Sequence, residues 1–169
     1  MKQNKKIRLS WMMVVMLACM SFVTVSCQPK VDEFEALRSH IDTVLQTLTP
    51  TKSVTDVKQI IDDPAEAAKY TIVSVRSAEH YAKGHVPGAI NIPWKDIAKA
   101  ESLAKLPLDK PIIVYCYTGH TGQVACTVLN LLGYEAYNMK YGMMGWTDDP
   151  EVLNTTPFNC DPPDYPVEK

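Results

Sequence analysis

Ile112, Ile113, Val114 and Tyr115 form an unbroken apolar, largely β-branched run, the pattern of a strand buried on both faces. From Gly122 onward Val124, Ala125, Val128, Leu129, Leu131 and Leu132 recur at helical spacing, and Gly133 stands where a helix of that register ends. Cys116 to Thr121 then make a six-residue loop opening onto a helix N-terminus. Upstream, Thr71 to Val75 reads as a second buried strand. Ser77 caps a short helix to Lys83, with Gly84 as a left-handed stop. Ala89 to Ile92 is a strand, Trp94 to Leu106 a helix, and Glu135 to Met139 the last strand. Val54 fits a short edge strand, Thr55 caps a helix from Asp56 to Ile61, and Asp62 to Lys69 is a loop or ragged turn. Val31, Phe34, Leu37, Ile41, Val44, Leu45 and Leu48 trace an amphipathic N-terminal helix of about four to five turns, which Pro50 ends. Strand alternating with helix predicts an α/β domain: a mainly parallel sheet of about five strands, covered on both faces.

Sites in such folds lie beyond the carboxyl ends of the strands, which is where Cys116 falls. The first N–H groups of a helix have no intrahelical partners, and the helix dipole adds positive potential there. A thiolate is favoured in such a place, and the thiolate is the nucleophilic form of cysteine. Gly119 and Gly122 let several N–H groups converge on the sulfur as a nest. The arrangement suits a thiolate that attacks a small anion and then carries a persulfide. A buried structural cysteine at a strand end is the other reading of the same residues.

A second stretch, Arg76 to Pro93, reads RSAEHYAKGHVPGAINIP and follows directly on a strand. It combines with the C-x-x-G loop at Cys116 to Gly119 and with Lys140-Tyr141-Gly142-Met143-Met144-Gly145-Trp146. Together these ordered segments, from about Thr51 to Asp149, resemble the rhodanese family of sulfurtransferases. The resemblance implies a rhodanese-like fold and makes Cys116 the catalytic nucleophile. Tyr117, Thr118, Gly119, His120, Thr121 and Gly122 become the substrate-binding loop, and Arg76 a further candidate contact. Arg76 is otherwise expected in an ion pair with Glu79 or Glu66. Two positions depart from the family pattern: Ser74 stands where many members have aspartate, and Thr121 where many have arginine. The anion site then relies on backbone N–H groups, the hydroxyls of Thr118 and Thr121, and His120. Cysteine phosphatases need an arginine closing a longer loop so that its fork can hold phosphate oxygens. Here Gly122 holds the corresponding position, which disfavours that chemistry.

Charge and termini refine the picture. The 169 residues carry 17 Lys plus Arg against 19 Asp plus Glu, a net charge of −2. Lys2, Lys5, Lys6 and Arg8 precede an apolar stretch from Trp11 to Val25, which together form an export signal. Thr24-Val25-Ser26-Cys27 resembles a bacterial lipoprotein processing site, so Cys27 becomes the lipid anchor. Cleavage there leaves a net charge of −6 and no basic patch to bind nucleic acid. Met16-Leu17-Ala18-Cys19 is a competing site, and an uncleaved anchor helix the remaining alternative. The expected organisation is a signal over 1–26, an anchor and helix over 27–50, the rhodanese-like domain over 51–149 and a Pro-rich tail over 150–169.

Of the remaining cysteines, Cys126 lies on an apolar helical face and reads as core. Cys160 sits in the tail, either as an inert thiol or as one that resolves a persulfide. His85, in Gly-His-Val-Pro-Gly, reads as a turn brace or a base. No metal or cofactor is expected, and Met143, Met144 and Trp146 read as core or pocket wall. The expected partners are a small sulfur-containing anion or a low-molecular-weight thiol, with the membrane reached through the lipid. The expected function is transfer of a sulfane sulfur from thiosulfate or a persulfide donor to cyanide or a thiol through a Cys116 persulfide. The alternatives are a non-catalytic sulfur-binding or redox-sensing module at the membrane, or a docking protein.

The anchor is directly testable. Wild-type protein is expected to take up a palmitate analogue, and Cys27→Ala to take up none while persisting as a larger precursor. Label retained in Cys27→Ala, or absent from wild type, would refute the anchor and favour Cys19 or an uncleaved helix.

Overall fold

The computed structural model describes residues 32–48 and 51–153. The expected export signal, Cys19, Cys27 and residues 154–169 of the expected tail, with Cys160, lie outside the described residues. The chain divides into two compact units, residues 1–38 and 39–169. Of the first, the structure describes the opening of helix α1 (Glu33–Thr47), where the Arg38 guanidinium pairs with Glu35 at 2.8 Å. In the second unit, Ile41 and Val44 of α1 are half-buried, and the His40 ring meets the Leu131 carbonyl at 2.8 Å.

Five strands build the sheet: β1 (Thr51–Lys52), β2 (Thr71–Ser74), β3 (Ile90–Asn91), β4 (Ile112–Tyr115) and β5 (Ala136–Met139). Their order is β1-β5-β4-β2-β3, and every pairing is parallel. The helices joining them are α2 (Val54–Asp62), α3 (Pro64–Ala67), α4 (Ala78–Lys83), α5 (Ala100–Leu103) and α6 (His120–Leu131). Two more follow β5: α7 (Gly142–Trp146) and α8 (Pro150–Leu153). The expected α/β class, with a parallel five-stranded sheet, is the fold observed.

Alternation along β4 divides the core in two. Ile112 and Val114 point into one cluster with Val73, Ala125, Cys126 and Leu129, under α6. Ile113 and Tyr115 point the other way, into a cluster with Val57, Val86, Met139, Met143 and Leu153. Four wholly buried strand residues make β4 the spine of the domain. Its phenol at Tyr115 accepts the Val86 N–H at 3.1 Å, and burial pushes its pKa above the usual tyrosine value.

Several boundaries differ from the sequence expectation. Val54 is helical, because Ser53 and Asp56 form a reciprocal capping box, and Thr51 and Lys52 take the edge strand by pairing with β5. Asp63 caps α3 through the Ala65 N–H, so the expected loop holds a helical turn. Trp94 to Leu106 is not one helix: the Trp94 N–H is tied to the Val75 carbonyl, a 3-10 turn covers Trp94–Asp96, and α5 starts afresh after Lys99. Gly84 is extended, with φ 161°, and not left-handed. A Cβ there would stand 2.7 Å from Val152, so glycine serves a close approach to α8.

That approach extends the domain beyond Asp149. Leu153 is buried in the second cluster, and the Val152 carbonyl receives a buried guanidinium N–H. Leu153→Ala is expected to lower the free energy of unfolding in urea by about 2–5 kcal/mol. A loss below about 1 kcal/mol would mean that α8 is an appendage and not part of the core.

Candidate active site

Cys116 follows the last residue of β4 and is 2% exposed, with its side chain in the cluster beneath α6. Gly119 caps α6 with φ 95°, a left-handed value that glycine adopts at little cost. This turn brings the Gly119 N–H to the Cys116 Sγ at 3.1 Å. The loop is shorter than the sequence suggested. Helix α6 begins at His120, so Thr121 and Gly122 belong to its first turn, and only Cys116 to Gly119 form the connection. The helix N-terminus therefore stands closer to the sulfur than a six-residue loop would allow.

A second backbone segment holds the loop from below. The N–H groups of Met143 and Met144 donate to the carbonyls of Cys116 and Tyr117, each at 2.9 Å. Such proximity needs Gly142, where a Cβ would lie 2.4 Å from the Cys116 carbonyl oxygen. Gly142 and Tyr141 both have positive φ, 54° and 62°. Tyr141 is thus a non-glycine residue in the left-handed region, placed next to the reactive loop.

The proposed substrate-loop side chains separate into two groups. Tyr117 turns toward α4: its hydroxyl meets the His80 Nδ1 at 2.5 Å and the Ser77 Oγ at 3.3 Å. Thr118 and His120 pair with each other, hydroxyl to Nδ1 at 2.7 Å, and the His120 ring is exposed. Thr121 is half-buried and lines a cleft of about 430 Å³ with Tyr117, Val75, Pro93, Trp94 and Lys95. A second cleft, of about 650 Å³, is lined by Thr118, His120, Val124, Lys140 and Tyr141. The loop contributes side chains to both.

Arg76 does not stand with them. It is 1% exposed, and its guanidinium donates to the carbonyls of Gly84 at 2.7 Å, His80 at 2.8 Å and Val152 at 2.5 Å. Its Cζ lies 5.1 Å from the Tyr117 ring centre. The expected ion pair with Glu79 or Glu66 is not formed: Glu79 meets Lys83 and Glu66 meets Lys69. A buried guanidinium satisfied by carbonyls braces α4 and α8 against the end of β2. His85 likewise braces, with Nδ1 against the Tyr81 carbonyl at 3.0 Å and its ring stacked on Tyr81 at 3.9 Å.

A profile of the rhodanese-like domain family matches residues 53–149, more than half of the chain. The chain belongs to that family. A thiosulfate sulfurtransferase, GlpE, from Pseudomonas savastanoi is 31% identical over 97 residues, which cover 55% of this chain and 90% of that protein. An HTH-type transcriptional regulator, Rv0324, from Mycobacterium tuberculosis is 37% identical over 83 residues, but these span 36% of the regulator. Among solved structures, the human single-domain sulfurtransferase TSTD1 is 27% identical with a TM-score of 0.50, covering 59% of this chain and 96% of that one. Rhodanese-like domains thus occur both as nearly whole proteins and as parts of longer ones.

Sequence reasoning missed Asn138, His80 and Tyr141. The signal for Asn138 was a polar residue inside the strand Ala136–Met139. Nothing local marks His80 or Tyr141, whose places depend on how α4 and α7 dock.

Cys126 is a core residue, as its apolar helical face suggests. Its thiol faces the Ala136 carbonyl at 3.1 Å, and burial pushes its pKa from the usual 9.0 up to about 12. A raised pKa means that the protonated thiol favours the folded state. That contribution is complete below about pH 9 and is lost as the pH rises toward about 12. Removing the thiol with Cys126→Ala should flatten the alkaline decline of stability above pH 9, measured by urea unfolding. An unchanged alkaline limb would assign the decline to another group.

Proposed function

We propose that the chain is a sulfurtransferase that carries sulfane sulfur on Cys116. The observation that carries this reading is the Gly119 N–H held on the Sγ at the N-terminus of α6. The Cys116 thiolate attacks the outer sulfur of thiosulfate. An Sγ–S bond forms, the S–S bond of thiosulfate breaks, and sulfite leaves with the electron pair. Cyanide or a thiolate then attacks the outer sulfur of the persulfide, giving thiocyanate or a new persulfide and returning the Cys116 thiolate. Backbone N–H groups at the loop stabilise the anion in both halves of the cycle without consuming a proton. Relatives named thiosulfate sulfurtransferase and tRNA sulfurtransferase support this class of chemistry. In this reading the expected export signal delivers the chain out of the cytoplasm, and a lipid on Cys27 holds the site at a membrane surface facing the periplasm or the cell exterior.

Thr121 bears on the second reading. Among the described residues no guanidinium enters the loop, so attraction for a dianion is weaker than a bidentate fork would provide. This favours a module that captures or senses sulfur species through Cys116 without rapid turnover. Production of thiocyanate from thiosulfate and cyanide separates the two readings.

Wild-type protein is expected to turn over. Cys116→Ser should lower the rate by about a thousand-fold or more with the melting temperature retained, as for loss of a covalent nucleophile. Cys126→Ser should remain active. Turnover surviving in Cys116→Ser, or vanishing in a folded Cys126→Ser, would refute the assignment.

A further inference from the structure

We propose that Asn138 is a positioning residue of the sulfur site, acting through Gly119. The inference rests on the sulfur-transfer reading of Cys116 and deepens it. Asn138 lies in β5, is 5% exposed, and directs its side chain at the strand-to-helix junction. Its Nδ2 donates to the Gly119 carbonyl at 3.2 Å, and the same carbonyl accepts the Gln123 N–H at 2.9 Å. The other side of Gly119 is the N–H that meets the Cys116 Sγ at 3.1 Å.

Glycine has the widest backbone freedom of any residue, so a left-handed Gly119 does not by itself aim its N–H. Holding its carbonyl fixes the following peptide plane, and together with φ 95° and ψ −17° this sets the direction of the N–H toward sulfur. Asn138 therefore aims the donor without touching the sulfur.

Two further features bear on the carboxamide at this position. A Cβ on Gly122 would lie 2.4 Å from the Asn138 Oδ1, so the first turn of α6 leaves just enough room for the amide group. The Oδ1 is buried and has no hydrogen-bond partner among the described residues. An unpaired buried carbonyl is unfavourable, and leucine, of similar shape, would avoid that penalty. What leucine cannot supply is the N–H on Gly119. The position thus gives up stability and gains a donor aimed at the loop.

The test uses the full chain and two readouts. One is the rate at which iodoacetamide alkylates Cys116 at fixed pH, resolved by peptide mass. The other is kcat and KM for thiosulfate with cyanide. Asn138→Leu is expected to melt at or above the wild-type temperature. Its kcat should fall about tenfold or more, the scale of one hydrogen bond to a charged group. KM should stay within about twofold, since ground-state binding is not what is lost. Alkylation should slow in parallel. Rates equal to or above wild type would overturn the proposal, as would a fall in melting temperature with kcat and KM worsening together.

Should Asn138→Leu fail to fold, Gly122→Ala carries the test, because it displaces the carboxamide without removing it. Gly122→Ala should slow alkylation in the wild-type background and slow it much less in Asn138→Ala, where the 2.4 Å contact is gone and only a 3.3 Å approach to the Cys116 backbone nitrogen remains. Additive effects would place the action of Gly122 elsewhere and overturn the proposal. If wild-type protein makes no thiocyanate, the sulfur-transfer reading fails, while alkylation still reports whether Asn138 aims the donor.

Discussion

The whole site depends on how closely one backbone approaches another at the carboxyl end of β4. The N–H groups of Met143 and Met144 reach the carbonyls of Cys116 and Tyr117, and Gly142 makes the approach possible by lacking a Cβ. With the Cys116 and Tyr117 carbonyls engaged from below, the loop turns a backbone N–H toward the sulfur. Gly119 supplies it at 3.1 Å. The geometry is made by backbone atoms, so it persists although the loop has lost the arginine common in the family. The left-handed Tyr141 belongs to the same constraint, since it stands between β5 and the glycine that makes the approach.

The buried guanidinium of Arg76 serves the frame of the domain and does not reach the sulfur. Arg76 is buried at the end of β2, where carbonyls from α4 and α8 and the face of Tyr117 surround it. A buried guanidinium is stable only where nearly all its donors are satisfied, so the three carbonyls and the guanidinium specify one another. The cost is visible in its Nε, which is buried without a hydrogen-bond partner among the described residues. Through Tyr117 this frame touches the loop, and Tyr117 in turn is fixed by His80 and Ser77. The side chain next to Cys116 is thereby held toward α4.

Much of this was legible before any coordinates. The strand Ile112–Tyr115 and the end of α6 at Gly133 follow from a continuous apolar run and a helical period, signals that depend on local sequence. Cys116 could be placed at a helix N-terminus for the same reason. The start of that helix was legible only to within a turn, because His120 and Thr121 carry no apolar periodicity and Gly119 caps without a side chain. Ser53 and Asp56 formed a readable capping box, but Val54 and Thr55 obscured it by their β propensity. Trp94 to Leu106 reads as one helix in the sequence, because neither the 3-10 turn at Trp94–Asp96 nor the helix that restarts after Lys99 has a side-chain cap to mark it. Arg76 was misread as an ion-pair partner since sequence shows nearby carboxylates but not carbonyls. Roles set by long-range docking, as at Asn138 and His80, leave little local trace.

The site is built around one atom, the Sγ of Cys116, the proposed carrier of the transferred sulfur. The most direct measurement is intact-protein and peptide mass spectrometry of the purified protein after incubation with thiosulfate, without an acceptor. The account requires the peptide containing Cys116 to become heavier by one sulfur atom, and to return to its original mass when cyanide is added. A sulfur atom found on Cys126 or Cys160 with Cys116 unmodified would contradict it, and so would a Cys116 peptide that never gains mass in folded protein.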